Sequence, residues 1–289
     1  MKVTAGTKFF IKLMYKMNVL KNLNVFPKLR FGNKSIKLPI LSGLGYENLF
    51  PHETWLNSIV SKLLPLKEGV FIDVGMNIGQ TLLKFLEQES DKLYFGFEPN
   101  PTCYHYVEKI KEINQSIENI HVIPVGLSNE SRILKLRLNN DSDSAASLAE
   151  DFRAKEEYST SRWVVVMRGD EVVEMLGISQ IAVLKIDVEG GEWDVINGLQ
   201  QTIKKMRPFI VCEILPVYDM ASSKGQFRRQ RIDRILNFLS QEKYKLFRLM
   251  HDGTTRPLET IESHGDLNLC EYLFVPEEHL HHLDATFIQ

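Results

Sequence analysis

Cysteine is scarce in this chain. Three residues of 289, Cys103, Cys212 and Cys270, stand far apart, odd in number and without metal-site spacing. That argues against a disulfide framework and for a reducing, cytoplasmic setting. Long apolar runs are missing too. The stretch Phe9-Phe-Ile-Lys-Leu-Met-Tyr-Lys-Met-Asn-Val-Leu20 is too short and too often broken by lysine to span a bilayer, and no small-residue cleavage site follows it cleanly. Net charge is −2, so no global field recruits nucleic acid. Acid is absent from Met1 to Tyr46, where nine Lys or Arg occur. Two readings of residues 9–20 follow: a basic amphipathic helix resting on an anionic membrane or glycolipid surface, or a helix packed on its own domain with lysines outward.

What is present is an ordinary soluble globular composition, 44% apolar and 25% charged, long enough for one large domain with an extension. Residues 1–65 read as a partly helical, basic extension with a helix near Trp55–Leu64, stopped by Pro65. From 66 to 289, strands and helices alternate. Strands are expected at 70–74, 93–97, 120–125, 181–186 and 209–213, and helices near 78–89, 101–114, 191–205 and 226–240. Such alternation implies a parallel sheet covered on both faces. Between 126 and 180 come a strand at Ile133–Leu138, a Ser/Asp-rich loop from Asn139 to Ser147, a strand at Trp163–Met167 and a short helix near Val172–Leu176. Tyr244–Leu249 and Glu271–Val275 read as an antiparallel pair closing the sheet.

The first strand, Val70-Phe-Ile-Asp-Val, runs into the turn Asp73-x-Gly75-x-Asn77-x-Gly79 that opens a helix, and the second ends in Glu98-Pro99. Glycines there let a ligand approach the backbone, and a carboxylate about 20 residues on can accept both hydroxyls of a ribose. A dinucleotide site wants G-x-G-x-x-G, but here Asn77 takes the middle glycine's place and the third glycine is missing, and an acid at Asp73 would repel a pyrophosphate. The pair suits the amino end of an amino-acid-like cofactor, such as the methionine part of S-adenosylmethionine.

In Val183-Leu-Lys185-Ile-Asp187-Val-Glu189-Gly-Gly-Glu192, Lys185 and Asp187 break an apolar run and share a face. They pair with each other or meet a ligand. Glu192 reads as an acid in a first helical turn, favourable to the dipole, and Glu189 as a residue of the cap region or of the site. The fifth strand closes on Glu213, next to Asp187 at the sheet's carboxyl edge. Two such acids could bind a divalent cation such as magnesium or supply a general base. Three further groups have blander readings beside functional ones. Arg228, Arg229, Arg231 and Arg234 form a solvated helix face or a phosphate dock. His279, His281 and His282 form a solvated tail or a metal site. Tyr46, Glu53 and Trp55 either pack or cover the cofactor.

The runs Asp73-Val-Gly-Met-Asn-Ile-Gly79, Phe97-Glu-Pro-Asn-Pro101 and Leu184-Lys-Ile-Asp-Val-Glu-Gly-Gly-Glu192 resemble the FkbM family of S-adenosylmethionine-dependent methyltransferases. The resemblance implies a Rossmann-like class I α/β fold: a seven-stranded sheet, mostly parallel, with an antiparallel strand inserted near its edge and helices on both faces. It implies O-methylation of a sugar, glycan or related natural-product hydroxyl. By position, Asp73, Gly75, Asn77 and Gly79 would hold the methionine part, Glu98 the ribose, and Gly126, Leu127 and Ser128 would flank the adenine. Met76 and Arg168-Gly169-Asp170 depart from the family pattern and leave the acceptor open.

A sulfonium methyl already carries a good leaving group, so in-line orientation matters most and can contribute on the order of 7–11 kcal/mol. The hydroxyl must also lose a proton. Asp187 is the expected base, Glu213 the second candidate, and Lys185 orients the base or stabilises an alkoxide. The alternatives are an N- or C-methyltransferase on another small molecule, a nucleotide-dependent oxidoreductase, and a non-catalytic cofactor-binding module.

Overall fold

The computed structural model describes residues 3–31, 34–50, 53–138 and 160–283. Helix α1 (Ala5–Lys16) is followed by four short strands, β1 (Asn24–Val25), β2 (Lys28–Phe31), β3 (Lys34–Lys37) and β4 (Ile40–Leu41), and by α2 (Thr54–Leu63). The alternating part begins with β5 (Val70–Val74), α3 (Gln80–Glu87), β6 (Tyr94–Phe97), α4 (Pro101–Ile113) and β7 (Ile120–Ile123). A middle segment follows, with β8 (Gly126–Ser128), β9 (Arg132–Leu138), β10 (Thr160–Arg168) and α5 (Gly169–Met175). The alternation resumes with β11 (Ile181–Ile186), α6 (Glu192–Gly198), α7 (Gln200–Met206), β12 (Phe209–Glu213) and α8 (Ser223–Gln241). It closes with β13 (Tyr244–Leu249), β14 (Thr255–Leu258) and β15 (Glu271–Pro276).

The central sheet runs β14-β13-β15-β12-β11-β5-β6-β7. Strands β12, β11, β5, β6 and β7 pair in parallel, while β15 lies antiparallel to both of its neighbours. This is the expected Rossmann-like order with its inverted strand near the edge. The expected seven strands become eight because β14 folds back antiparallel on β13. The β11 run Ile-Ala-Val-Leu-Lys-Ile is buried at every residue, as a strand covered on both faces requires.

Two apolar layers flank the sheet. One contains Ile72, Leu184, Ile210 and Phe274. The other contains Phe71, Leu82 and Tyr106 and also takes Leu20, Leu29, Leu38, Ile40, Leu49 and Trp55 from the first 65 residues. The extension therefore shares a core with the sheet it precedes.

The expected helix at 191–205 is two helices. Asp170 accepts from the Thr202 backbone N–H (2.9 Å) and hydroxyl (2.8 Å), so the start of α7 is capped from α5. Gly198 ends α6 against β8, where a Cβ would lie 1.8 Å from the Ser128 carbonyl oxygen. Strand β8 does not continue β7. It pairs in parallel with β10 in a separate three-stranded sheet beside the main one. The loop expected from Asn139 to Ser147 lies outside the described residues.

Candidate active site

The turn after β5 is shaped by backbone geometry. Gly75 has φ +84° and passes so close to the strand beyond that a Cβ would sit 1.8 Å from the Asp187 carbonyl oxygen. Asn77 has φ +48°, which explains why no glycine is needed there, since asparagine tolerates the left-handed region. Its side-chain oxygen accepts from Cys103 Sγ at 3.2 Å. Gly79, at φ +78°, opens α3.

Glu98, at the end of β6, is buried, and both its oxygens are held by backbone. Oε2 accepts from the Asn77 N–H and Oε1 from the Asn100 N–H, each at 2.8 Å. Burial pushes its carboxyl up to about 7, against the opposing pull of those two bonds. Glu98 is among the residues that line the cavity, and each of its oxygens has lone-pair capacity beyond its backbone bond. Asn100 also caps α4 through Thr102, which ties the Glu98 carboxylate to a helix start.

Asp73 and Lys185 stand opposite each other in the β5–β11 register. The Lys185 ammonium lies 3.4 Å from Asp73 Oδ1 and 3.0 Å from Asp187 Oδ2, so it bridges two carboxylates. Burial alone would lower its pKa, but Asp187 and Asp73 hold it well above the ordinary lysine value. Asp73 is fully buried and takes the hydroxyl of Tyr94 on its other oxygen. It therefore stands one layer behind the cavity wall, while Asn77, Gly75 and Lys185 form the wall itself.

Burial would raise Asp187, yet the Lys185 charge and a hydrogen bond with Glu213 bring it below the ordinary aspartate value. Glu213 moves the other way, raised by burial and by the Asp187 charge. The opposed directions have one cause: the charge on one carboxyl disfavours charge on the other, and Lys185 lies beside Asp187. Asp187, Glu189 and Glu213 each offer an oxygen within 4.8 Å of the others. The β12–β15 register sets Glu271 directly opposite Glu213, and burial raises it to about 8. Sequence reasoning missed Glu271, since its neighbours in the sheet depend on where the inverted strand inserts. Tyr94 was missed as well: its alternation within β6 was readable, but its partner was not. Glu192 opens α6 as expected, and its buried carboxylate accepts from the Gly190 N–H at 2.7 Å.

Several of these groups line a cavity of about 1140 Å³. Its lining includes Gly75, Asn77, Glu98, Gly126, Leu127 and Ser128 together with Lys185, Asp187, Glu189 and Glu213. Tyr15, Tyr46 and Glu53 from the extension form part of its wall, and Phe227 and Arg231 another part. Trp55 is not in that wall; it stacks on His251 at 6.0 Å. Of the four arginines of α8, Arg231 reaches the cavity and is bound to Asp194 at 2.7 Å. Arg229 pairs with Asp233. His279, His281 and His282 stack among themselves near the surface.

Comparison with known proteins places this geometry in a family. The model of the Methyltransferase FkbM domain matches residues 73–246, from Asp73 to the middle of β13. The 2-O-methyltransferase NoeI of Sinorhizobium fredii is 27% identical over 165 residues, covering 53% of this chain and 66% of that protein. The hexuronic acid methyltransferase AglP of Haloferax volcanii is 29% identical over 150 residues, covering 51% and 56%. Among solved structures, a methyltransferase FkbM from Methylobacillus flagellatus shows 13% identity and a TM-score of 0.44, over 72% of this chain and 43% of that one. A putative caffeoyl-CoA O-methyltransferase from Staphylococcus aureus shows 9% identity and a TM-score of 0.45, over 94% and 100%. The family match spans more than half of the chain and includes the turn, Glu98 and the Lys185–Asp187–Glu213 group, so this chain belongs to the FkbM family of methyltransferases.

Proposed function

We propose that this protein is an S-adenosylmethionine-dependent O-methyltransferase acting on a sugar or glycan-type hydroxyl. One observation carries the reading: a single cavity joins the backbone-held carboxylate of Glu98 to the charged group of Lys185, Asp187 and Glu213. The donor set suits the cofactor. Glu98 offers acceptors to two ribose hydroxyls, and the surplus of carboxylates in the same cavity suits a molecule with cationic sulfonium and ammonium groups. Gly75, Asn77 and Gly79 would take the methionine part, with Gly126, Leu127 and Ser128 beside the adenine. Asp73 would act at one remove, through Lys185. The printed names of the two relatives, a 2-O-methyltransferase and a hexuronic acid methyltransferase, support a sugar acceptor.

When bound, S-adenosylmethionine supplies a methyl on a sulfonium leaving group. The chain's own residues then have to handle the acceptor's proton. Lys185, pinned by Asp73, holds the Asp187 carboxylate in one orientation. Asp187 takes the proton of the attacking hydroxyl, and Glu213, hydrogen-bonded to it and raised above its ordinary value, spreads the charge of the pair.

The Asp187–Glu189–Glu213 group supports a second reading, in which an all-oxygen site holds magnesium and orients the acceptor. The Lys185 ammonium, 3.0 Å from Asp187, already supplies a cation there and weighs against it. The test of both is methyl transfer from labelled S-adenosylmethionine to a panel of sugars, nucleotide-sugars and glycolipids, with and without a chelator. Asp187→Asn should lose turnover by about 10²-fold or more while binding cofactor within threefold of wild type. Undiminished turnover by the variant would remove Asp187 as base, and loss of turnover to the chelator would favour the metal.

A further inference from the structure

Helix α1 shows an apolar face to solvent. Ile11 is its buried residue, and Phe9 and Leu13 lie almost diametrically opposite it, at about 100° per residue. Phe9 and Phe10 are 70% and 60% exposed, and Leu13 and Met17 are exposed as well. Lys12 and Lys16 flank that face on one side. A helix packed on its own domain with lysines outward would have the reverse arrangement. Exposed Val19, Leu23 and Phe26 follow in the chain, and no acid occurs before Glu47.

The helix also touches the cavity. Tyr15, on the flank of α1, stacks face to face on Tyr46 with centroids 4.0 Å apart, and both rings line the cavity wall.

We propose that α1 is an interfacial anchor that lays its Phe9–Phe10–Leu13 face into an anionic lipid surface and so sets the cavity's rim at that surface. Exposed aromatic and aliphatic side chains enter the boundary between headgroups and acyl chains, while the flanking lysines meet anionic headgroups. Charge selects this occupant over a second copy of the chain: two such faces would bring uncompensated lysines together. No helix among the described residues is long and apolar enough to cross a membrane, so the helix would lie in the interface plane. The inference rests on α1 and not on methyl transfer, and its test needs no cofactor.

The test is sedimentation of the whole protein with vesicles of phosphatidylcholine, with and without a quarter of phosphatidylglycerol. Wild type should bind the anionic vesicles at least about tenfold more tightly than the neutral ones, and high salt should weaken that binding. The triple variant Phe9→Ser/Phe10→Ser/Leu13→Ser should lose at least about tenfold in vesicle affinity, with an unchanged thermal midpoint. Lys12→Glu/Lys16→Glu, which leaves the apolar face intact, should abolish the preference for anionic lipid. Equal sedimentation of wild type and both variants would overturn the proposal. So would a wild-type dimer that the triple variant converts to monomer, since the face would then be a contact between copies.

Discussion

Replacing Glu98 with glutamine separates cofactor recognition from folding. In the proposed site the wild-type carboxylate would offer two charged acceptors to a ribose while each oxygen keeps a 2.8 Å backbone bond. Glutamine retains one acceptor, and one of the two backbone N–H groups then faces an amide NH₂. With charge-assisted bonds at about 1.5–3 kcal/mol each, loss of roughly 3 kcal/mol of binding is expected, or about 100-fold in Kd for S-adenosylmethionine. Isothermal titration of wild type and Glu98→Gln measures it directly. The pH dependence is a second signature. Burial raises Glu98 to about 7 in the free protein, whereas the cofactor needs the ionised form. Wild-type Kd should therefore worsen towards tenfold per unit as pH falls below about 7, and the variant should lose that dependence. Stability runs in the opposite direction. A carboxyl whose folded value lies above its ordinary one takes up a proton on folding between about 4.5 and 7. Its contribution is fully present below about 4.5 and is lost as pH rises through about 7, by up to roughly 3 kcal/mol in all. In urea unfolding at acid and neutral pH, Glu98→Gln should flatten this slope by one group's share, while Glu192, also raised to about 7, keeps its own. A variant Kd within threefold of wild type, or a wild-type Kd flat from pH 5.5 to 8, would refute the assignment of Glu98 to the ribose.

Other substitutions probe the remaining supports. Gly75→Ala places a Cβ against the Asp187 carbonyl at φ +84° and should cost about 3 kcal/mol in denaturant unfolding, with loss of cofactor binding. Lys185→Met leaves Asp73 and Asp187 buried without their cation and should destabilise by about 3–5 kcal/mol. Because both carboxyls would then rise, part of that loss should return as pH falls, read as a thermal midpoint that increases on acidification. Asp170→Ala removes the cap of α7 and should lower stability by about 1 kcal/mol without changing cofactor affinity, measured by urea unfolding and calorimetric titration.

Much of this architecture was readable from local pattern. The apolar runs of β5, β6, β11 and β12, the helix starts at Gly79 and Pro101, and the carboxylates closing three strands are properties of short segments. Period and turn chemistry act within a few residues. Asp73, Gly75, Asn77, Gly79 and Glu98 could be named for the same reason, as could the Lys185–Asp187 pairing across one strand face. The break between α6 and α7 was not readable, because it depends on Asp170 arriving from another helix. Nor was the eighth strand, whose edge position follows only once β13 has found β15.

The division has a physical basis. By itself the sequence determined a parallel α/β sheet, a glycine-containing turn followed by a strand closing on Glu98, and a charged sheet edge at Lys185, Asp187 and Glu213. Tertiary structure alone decided that Asp73 stands behind Lys185, that Glu271 meets Glu213 across the inverted strand, and that Tyr15 and Tyr46 of the extension wall the cavity. It also decided which face of α1 is exposed. Hydrophobic period says that a face exists, but only packing against the rest of the chain selects the side that is buried and the charges that meet.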